Sequence, residues 1–336
     1  MAEHNQDLDI QMQPDLSQPE TPKEYLRILL SGFAMGASDI VPGVSGGTMA
    51  FILGIYETLI NGIKSFNLDA AKMVITFFTG NADEKPSFME IVDHLHLRFL
   101  ITLGIGLVIA VVLLSGLLEG LIVNQPTYIF AFFAGLIIAS VIAIGYKVKW
   151  GLVPVITLII GTAIAYFITN PEFGTMGDSF GHAPPVLFFS GMIAICAMIL
   201  PGISGSFILL ILGQYDYVLG AVKEFDILSI IYVGLGAVIG ILAFSRVLSW
   251  LLSKYEHPTI ALLVGFMLGS MRLIYYRATN LVDEETEVVT ALNLDNTQIM
   301  LAIGLIFLGF IIVTVIDHMQ SRSNPVLAIF DKNSAS

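Results

Sequence analysis

Val41-Pro42-Gly43-Val44-Ser45-Gly46-Gly47-Thr48 decides the fold of this chain, because it is written twice. The second copy is Leu200-Pro201-Gly202-Ile203-Ser204-Gly205-Ser206-Phe207, 159 positions on (Ser204 against Ser45), and the register holds downstream without a gap. Leu53-Gly54 matches Leu212-Gly213, Tyr56 matches Tyr215, Glu57 matches Asp216, Lys64 matches Lys223 and Phe66 matches Phe225. A Pro-Gly break followed by Ser-Gly, set in apolar sequence and duplicated, is the pattern expected of a membrane protein with broken helices near the bilayer midplane, the architecture of secondary transporters.

The surrounding composition agrees. The 336 residues are 56% hydrophobic and 12% charged, with a mean hydropathy of +0.84; a soluble domain carries about twice that charge. Several apolar runs reach the ~20 residues that a spanning helix needs, so the expected class is an all-α polytopic membrane protein. A net charge of −12 with no basic cluster argues against a nucleic-acid partner. The one cysteine, Cys196, lies in an apolar run, which rules out an internal disulfide. Residues 1–22 read as a disordered tail without the regions of a signal peptide.

Full spans are expected at about 98–119, 128–146, 151–169, 229–252, 259–277 and 299–317. Two further apolar stretches, 25–63 and 185–222, carry the Pro-Gly breaks, each either a re-entrant hairpin or a pair of tilted spans. The duplication continues at an offset of 130: Gly104, Gly106, Ile109 and Ser115 match Gly234, Gly236, Ile239 and Ser245, and Ala131, Gly135, Ser140 and Ile144 match Ala261, Gly265, Ser270 and Ile274. A cytoplasmic insert at roughly 68–97 accounts for the changed offset. The chain then divides into repeat 1 (23–170: hairpin 25–63, insert 68–97, helices 98–169), repeat 2 (183–319: hairpin 185–222, helices 229–317) and a C-terminal tail, 320–336.

One returning hairpin plus three crossings per half turns the second half upside down, an inverted-topology repeat. The basic residues fit this arrangement. With the N-terminus inside, Lys23, Arg27, Lys64, Lys72, Lys85, Arg98, Lys147, Lys149, Lys254, Arg322 and Lys332 fall on the cytoplasmic side. Only Lys223, Arg272 and Arg277 fall outside, and loops 120–127 and 170–184 have no Lys or Arg. Both termini are therefore expected in the cytoplasm.

The chemistry is expected at the breaks. Ser45 and Ser204 stand where each would cap the following half-helix. The amides of Gly46, Gly47 and Thr48, and of Gly205, Ser206 and Phe207, would be the unpaired donors of those helix starts. Such donors at the positive end of a helix dipole suit an anion. The bland reading is a tight hairpin at Pro42-Gly43 and Pro201-Gly202, with Ser satisfying its own helix; two copies in opposed halves favour a binding site.

Ionisable groups in apolar runs are the other candidates. Asp39 has no acidic counterpart, since Met198 holds the matching place, and either binds a proton or cation or pairs with an Arg. Glu57 and Asp216 are matched and would be solvated, Arg-paired or proton-transferring. Arg246 and Arg272 either snorkel to the interface or meet an anionic substrate, one from each side. Tyr56 and Tyr215 read equally as interfacial anchors and as substrate contacts. His94 and His96 lie beside Asp93 at a spacing that suits no common metal site. No nucleotide-binding, Gly-x-Ser-x-Gly or HExxH motif occurs, so neither an ATP-driven pump nor a familiar hydrolase is expected, and no cofactor or metal.

The stretch Gly36-Ala37-Ser38-Asp39-Ile40-Val41-Pro42-Gly43-Val44-Ser45-Gly46-Gly47-Thr48, followed by Leu53-Gly54-Ile55-Tyr56-Glu57, closely resembles the hallmark of the bacterial polyprenyl-phosphate transporters, and residues 200–216 resemble that family's second motif. The resemblance covers roughly residues 25–320. It implies a non-enzymatic flippase of the bacterial cytoplasmic membrane that returns undecaprenyl phosphate for carrier-lipid recycling in cell-envelope synthesis. Its partners would be the polyprenyl-phosphate lipid, membrane lipids and a driving H+ or Na+, with Asp39 the first candidate for coupling; oligomeric state stays open. Two other classes remain in play: a secondary transporter of a small soluble anion, and an intramembrane lipid-phosphate enzyme, for which no nucleophile or His pair is found.

Overall fold

The computed structural model describes residues 16–41, 45–81, 85–170, 181–282, 289–321 and 326. Pro42 and Gly43 of the first break, most of the two expected tails, and most of the loop at 170–184 lie outside the described residues.

The described chain is a helical membrane protein. Repeat 1 comprises α1 (Pro22–Asp39), α2 (Gly46–Ile52), α3 (Tyr56–Lys64), α4 (Leu68–Thr79), α5 (Phe88–His94), α6 (Leu97–Asn124), α7 (Pro126–Lys147) and α8 (Leu152–Ile168). Repeat 2 comprises α9 (Pro184–Ile199), α10 (Gly205–Ile211), α11 (Tyr215–Lys223), α12 (Ile227–Lys254), α13 (Glu256–Thr279) and α14 (Asn296–Ser321). A two-stranded antiparallel hairpin, β1 (Asn280–Val282) with β2 (Val289–Ala291), joins the last two helices. Among the described residues five helices, α6, α7, α12, α13 and α14, are long and apolar enough to cross a bilayer, while α8 and α9 are shorter. Helices stand at all six expected spans, five of them longer at both ends, but α8, at 17 residues, falls short of the full span expected at 151–169.

Local chemistry sets several boundaries. Thr21 and Glu24 form a capping box at the start of α1, with Pro22 in its first turn. Part of the expected tail, 1–22, is therefore packed structure, since Leu16 is buried against the core. Pro126 closes α6 and opens α7. The insert at 68–97 is not one loop: Asn67 caps α4, and Ser87 with Glu90 makes a second capping box on α5.

Packing repeats as the sequence does. Helix α1 packs on α6 and α9 on α12; α8 packs on α13 and α7 on α14, each half thus lending its last helix to the other. Close glycine contacts carry these pairs. A Cβ on Gly32 would overlap the Leu103 carbonyl, and one on Gly191 the Val233 carbonyl; Gly106 stands likewise to Leu29, and Gly236 to Phe188. Each contact in repeat 2 is its repeat 1 counterpart carried forward by the two sequence offsets. Gly135 against Ile306 and Gly265 against Leu158 form a further matched set, as do Gly161 against Leu262 and Gly309 against Phe132. These last pairs align α8 with α14 at a third offset, 148 (Gly309 against Gly161), which the residue types alone do not reveal. Small residues permit such approach where no water-driven force holds helices together.

Most of α7 and α13 is buried, whereas most of α6, α12 and α14 is not. The buried pair forms the centre of the molecule, flanked by the hairpins. Two bonds fix relative directions. The Thr127 hydroxyl donates to the Ala278 carbonyl at 2.8 Å, joining the start of α7 to the end of α13. Lys147 pairs with Asp317 at 3.0 Å, joining the ends of α7 and α14.

Gly234 and Gly236 on α12 offer a controlled test. No atom lies within 4 Å of a Cβ placed on Gly234, so Gly234→Ala should leave the melting temperature in detergent unchanged or raised, by up to about 1 kcal/mol of helix propensity. Gly236→Ala should lower it, at a cost of about 1–3 kcal/mol from overpacking against Phe188.

Candidate functional site

The two breaks meet. Helix α9 ends at Ile199 and would leave its last carbonyls unpaired in an apolar setting. The first motif supplies donors to them. The Ser45 hydroxyl donates to the Met198 carbonyl at 2.9 Å, and the Tyr56 hydroxyl to the Ile199 carbonyl at 3.2 Å. In the other direction, the Gly202 amide donates to the Thr48 hydroxyl oxygen at 2.8 Å. Ser45, Thr48 and Tyr56 are all buried. Tyr56 is therefore a cross-brace between the halves, not an interfacial anchor.

Gly202 suits its place for two reasons. Its φ is +85°, a conformation that glycine adopts at little cost, and a Cβ would stand 2.8 Å from the Phe266 backbone of α13. Each hairpin also has a second bend that the Pro-Gly reading missed. Gly54 (φ +68°) separates α2 from α3 and Gly213 (φ +64°) separates α10 from α11, with α10 and α11 at 113° to one another. The signal for it was present in the matched Leu53-Gly54 and Leu212-Gly213.

The two half-helix starts differ. At the start of α2 the Ser45 hydroxyl oxygen accepts from the Gly47 amide at 3.1 Å, the expected cap. The Gly46 amide donates to Asp39 Oδ1 at 2.6 Å. A carboxylate from the end of α1 thus already sits on the helix start, and Asp39 is oriented by an amide, not by an arginine. At the start of α10 the expected cap is not formed. The Ser204 and Ser206 hydroxyls bond each other at 2.8 Å, and the Gly205 and Ser206 amides have no partner among the described residues. Met198, in the place that matches Asp39, offers no carboxylate.

The arginines are engaged elsewhere. Arg246 Nη2 donates to the Phe66 carbonyl at 2.7 Å and Nη1 to the Leu242 carbonyl, tying α12 to the exit of the first hairpin. Beside it the Lys64 ammonium donates to Ser249 at 2.9 Å. Arg272 stacks over the Tyr166 ring at 4.4 Å, on the α8–α13 contact. Glu57 opens α3 and lines a cavity of about 310 Å³ with Asn61, Ser249, Ser253 and Glu256. Its match Asp216 is exposed in the first turn of α11.

One polar group escaped the sequence reading. Gln214, fully buried, bonds the His182 ring at 3.0 Å and the Gly181 carbonyl at 3.1 Å, while His182 stacks on Tyr217 at 4.0 Å. The signal was an amide in the position that Ile55 holds in the first copy. No group of three or more His, Cys, Asp or Glu able to hold a metal occurs among the described residues.

Thr48→Val should leave the buried Gly202 amide without an acceptor and lower stability in detergent by about 1–3 kcal/mol. Thr48→Ser, which keeps the oxygen, should stay close to the parent protein. Equal melting temperatures for all three would mean that the cross-bond contributes nothing.

Residues 35–291, which span both breaks and most of the helices that hold them, match the family model described as VCA0040-like, undecaprenyl phosphate translocase-like. A protein of Vibrio cholerae serotype O1 named polyprenyl-phosphate transporter is 42% identical over 257 residues, which cover 75% of this chain and 78% of that one. A Staphylococcus aureus protein of the same name is 34% identical over 265 residues, covering 74% and 85%. Both relatives carry transporter names, not enzyme names. No solved structure matches the chain. On the extent of the family match and the identity of its relatives, this multi-pass membrane protein belongs to the undecaprenyl phosphate translocase-like family.

Proposed function

We propose that this protein moves undecaprenyl phosphate, or a related polyprenyl phosphate, across the bacterial cytoplasmic membrane, holding the phosphate at the two half-helix starts and coupling its passage to protons through Asp39. The names of the relatives support the substrate class. The observation that carries the mechanism is the contrast between the starts: an oxyanion from Asp39 sits on the Gly46 amide, while the Gly205 and Ser206 amides have no partner among the described residues.

In this reading the phosphate enters at Ser204, Gly205 and Ser206, where amide and hydroxyl donors face the positive end of α10. A phosphate reaching the first break competes with the Asp39 carboxylate for the Gly46 amide, and would take the Gly47 amide and the Ser45 and Thr48 hydroxyls only as their internal bonds open. Two anions on one set of donors repel, so protonation of Asp39 removes the competitor and admits the head group. The proton thus travels with the lipid because it clears the lipid's own site. Glu57 and Asp216, one per hairpin, would relay protons to the two faces. Arg246 and Arg272, engaged with the Phe66 carbonyl and the Tyr166 ring, would draw the anionic head in from either side.

The halves would be inverted repeats that rock against each other. The Thr127–Ala278 bond supports this, since the first turn of α7 meets the last turn of its counterpart α13. Both termini would then face the cytoplasm, with Lys64 and Lys147 on the same side. The shared bonds among Ser45, Thr48, Tyr56 and residues 198–202 would be remade as the halves move.

Reconstitution in liposomes tests the reading. The parent protein should move undecaprenyl phosphate faster when a pH gradient is imposed. Asp39→Asn, which cannot carry the negative charge, should abolish the response to the gradient. Ser204→Ala with Ser206→Ala removes hydroxyl bonds to a charged group worth about 1.5–3 kcal/mol each, and should weaken head-group binding about tenfold or more. Movement of inorganic phosphate without lipid flux would replace the reading with a soluble-anion transporter.

A further inference from the structure

The helical pair α4–α5 carries an apolar surface that nothing in the described chain covers. Helix α4 divides into three stripes. Ala70, Met73, Val74 and Phe77 pack inward with Ile91, Leu95 and Leu97. Leu68, Ala71, Ile75 and Phe78, spaced i, i+3, i+7, i+10, are exposed, Leu68 and Phe78 at 80% and 73%. Asp69, Lys72, Thr76 and Thr79, with the same spacing one residue on, form the polar stripe. Positions with that spacing share one face of an α-helix. Phe88 and Met89 at the start of α5 extend the exposed apolar surface.

A helix in water has two environments, protein and solvent. This one has three. We infer that α4 and the start of α5 lie in the bilayer's interfacial layer, the Leu68–Ile75–Phe78 stripe dipped into acyl chains and the Asp69–Lys72–Thr76 stripe facing the head groups and water. Three features name the lipid as occupant, in preference to a protein. The patch is continuous with the lipid-facing surface of a spanning helix: Met89 Sδ accepts from Arg98 Nη2 at 2.9 Å in the first turn of α6, and exposed Ile101, Ile105 and Val108 follow along that span. At 12 residues α4 is too short to cross, about 18 Å at 1.5 Å per residue, but suits a helix lying in the plane. The polar stripe borders the apolar stripe along the whole helix, as a boundary between water and hydrocarbon requires, and its Lys72 suits phosphate head groups. The insert expected as a cytoplasmic element is, on this inference, a surface anchor beside the exit of the first hairpin, because Asn67, which caps α4, follows the Phe66 carbonyl held by Arg246. The inference stands on this geometry and does not depend on what the protein transports.

Spin labelling of the full chain in liposomes tests it. Cys196 is the one native cysteine, so a Cys196→Ser background accepts single cysteines at Ile75, Phe78, Lys72 and Thr79, all on the outer surface of α4. Nitroxides at 75 and 78 should collide more with oxygen, which concentrates in acyl chains, than with a water-soluble nickel chelate; at 72 and 79 the ratio should invert. Preference for the nickel chelate at all four positions would place α4 in water and overturn the inference. Exclusion of both reagents at 75 and 78 would also overturn it, since a protein surface, such as a second copy of the chain, would then be the occupant.

Discussion

A backbone amide or carbonyl left unpaired inside a bilayer costs several kcal/mol, because no water is present to take it up. Breaking a helix there creates such groups by the handful. Here side chains of the first hairpin take up part of that cost for the second: Ser45 and Tyr56 donate to the Met198 and Ile199 carbonyls, and Thr48 accepts from Gly202. The two hairpins are therefore not independent units. The second break leans on the first, whose own leading amides are taken up by Asp39 and Ser45.

Behind the breaks the duplication is one of packing as much as of residues. Gly32 meets Leu103 as Gly191 meets Val233, and Gly135 meets Ile306 as Gly265 meets Leu158. The second pair of contacts crosses between halves, so the last helix of each repeat completes the other. Neither half could bury its glycine face alone. Interlocking of this kind keeps α7 and α13 as a packed centre, and Gly202 of the second hairpin rests against the Phe266 backbone of α13.

Much of this was legible in the residues. The duplicated Pro-Gly-x-Ser-Gly placed the breaks, the apolar runs placed the spans, and the Ser45 cap followed from residue type and position. What was not legible depends on partners distant in sequence. Ser45 and Ser204 are equivalent on paper, yet Ser45 caps its helix and reaches α9, while Ser204 bonds Ser206; only the neighbours distinguish them. Arg246 and Arg272 were singled out for their charge, but what they touch, a hairpin-exit carbonyl and a tyrosine ring, is set by helix packing. The α8–α14 correspondence was hidden because lipid-facing positions accept any apolar residue, leaving little more than Gly161 and Gly309 to mark it.

The departure from symmetry at the breaks is more telling than the symmetry. Were both half-helix starts filled by internal carboxylates, an external anion would find no donors without displacing one; were neither filled, the leading amides of both would lack a partner. One of each resolves the conflict. Asp39 keeps the start of α2 satisfied at rest, and it is a ligand that a single proton neutralises. Met198 in the matching place leaves the start of α10 free of any competitor. On the proposed reading, a site with one set of unpaired amides and one removable internal anion would accept a phosphate at the first and pass it to the second only when a proton is supplied. In the proposed transporter, coupling would therefore arise at the one position where the two copies of the motif differ in charge.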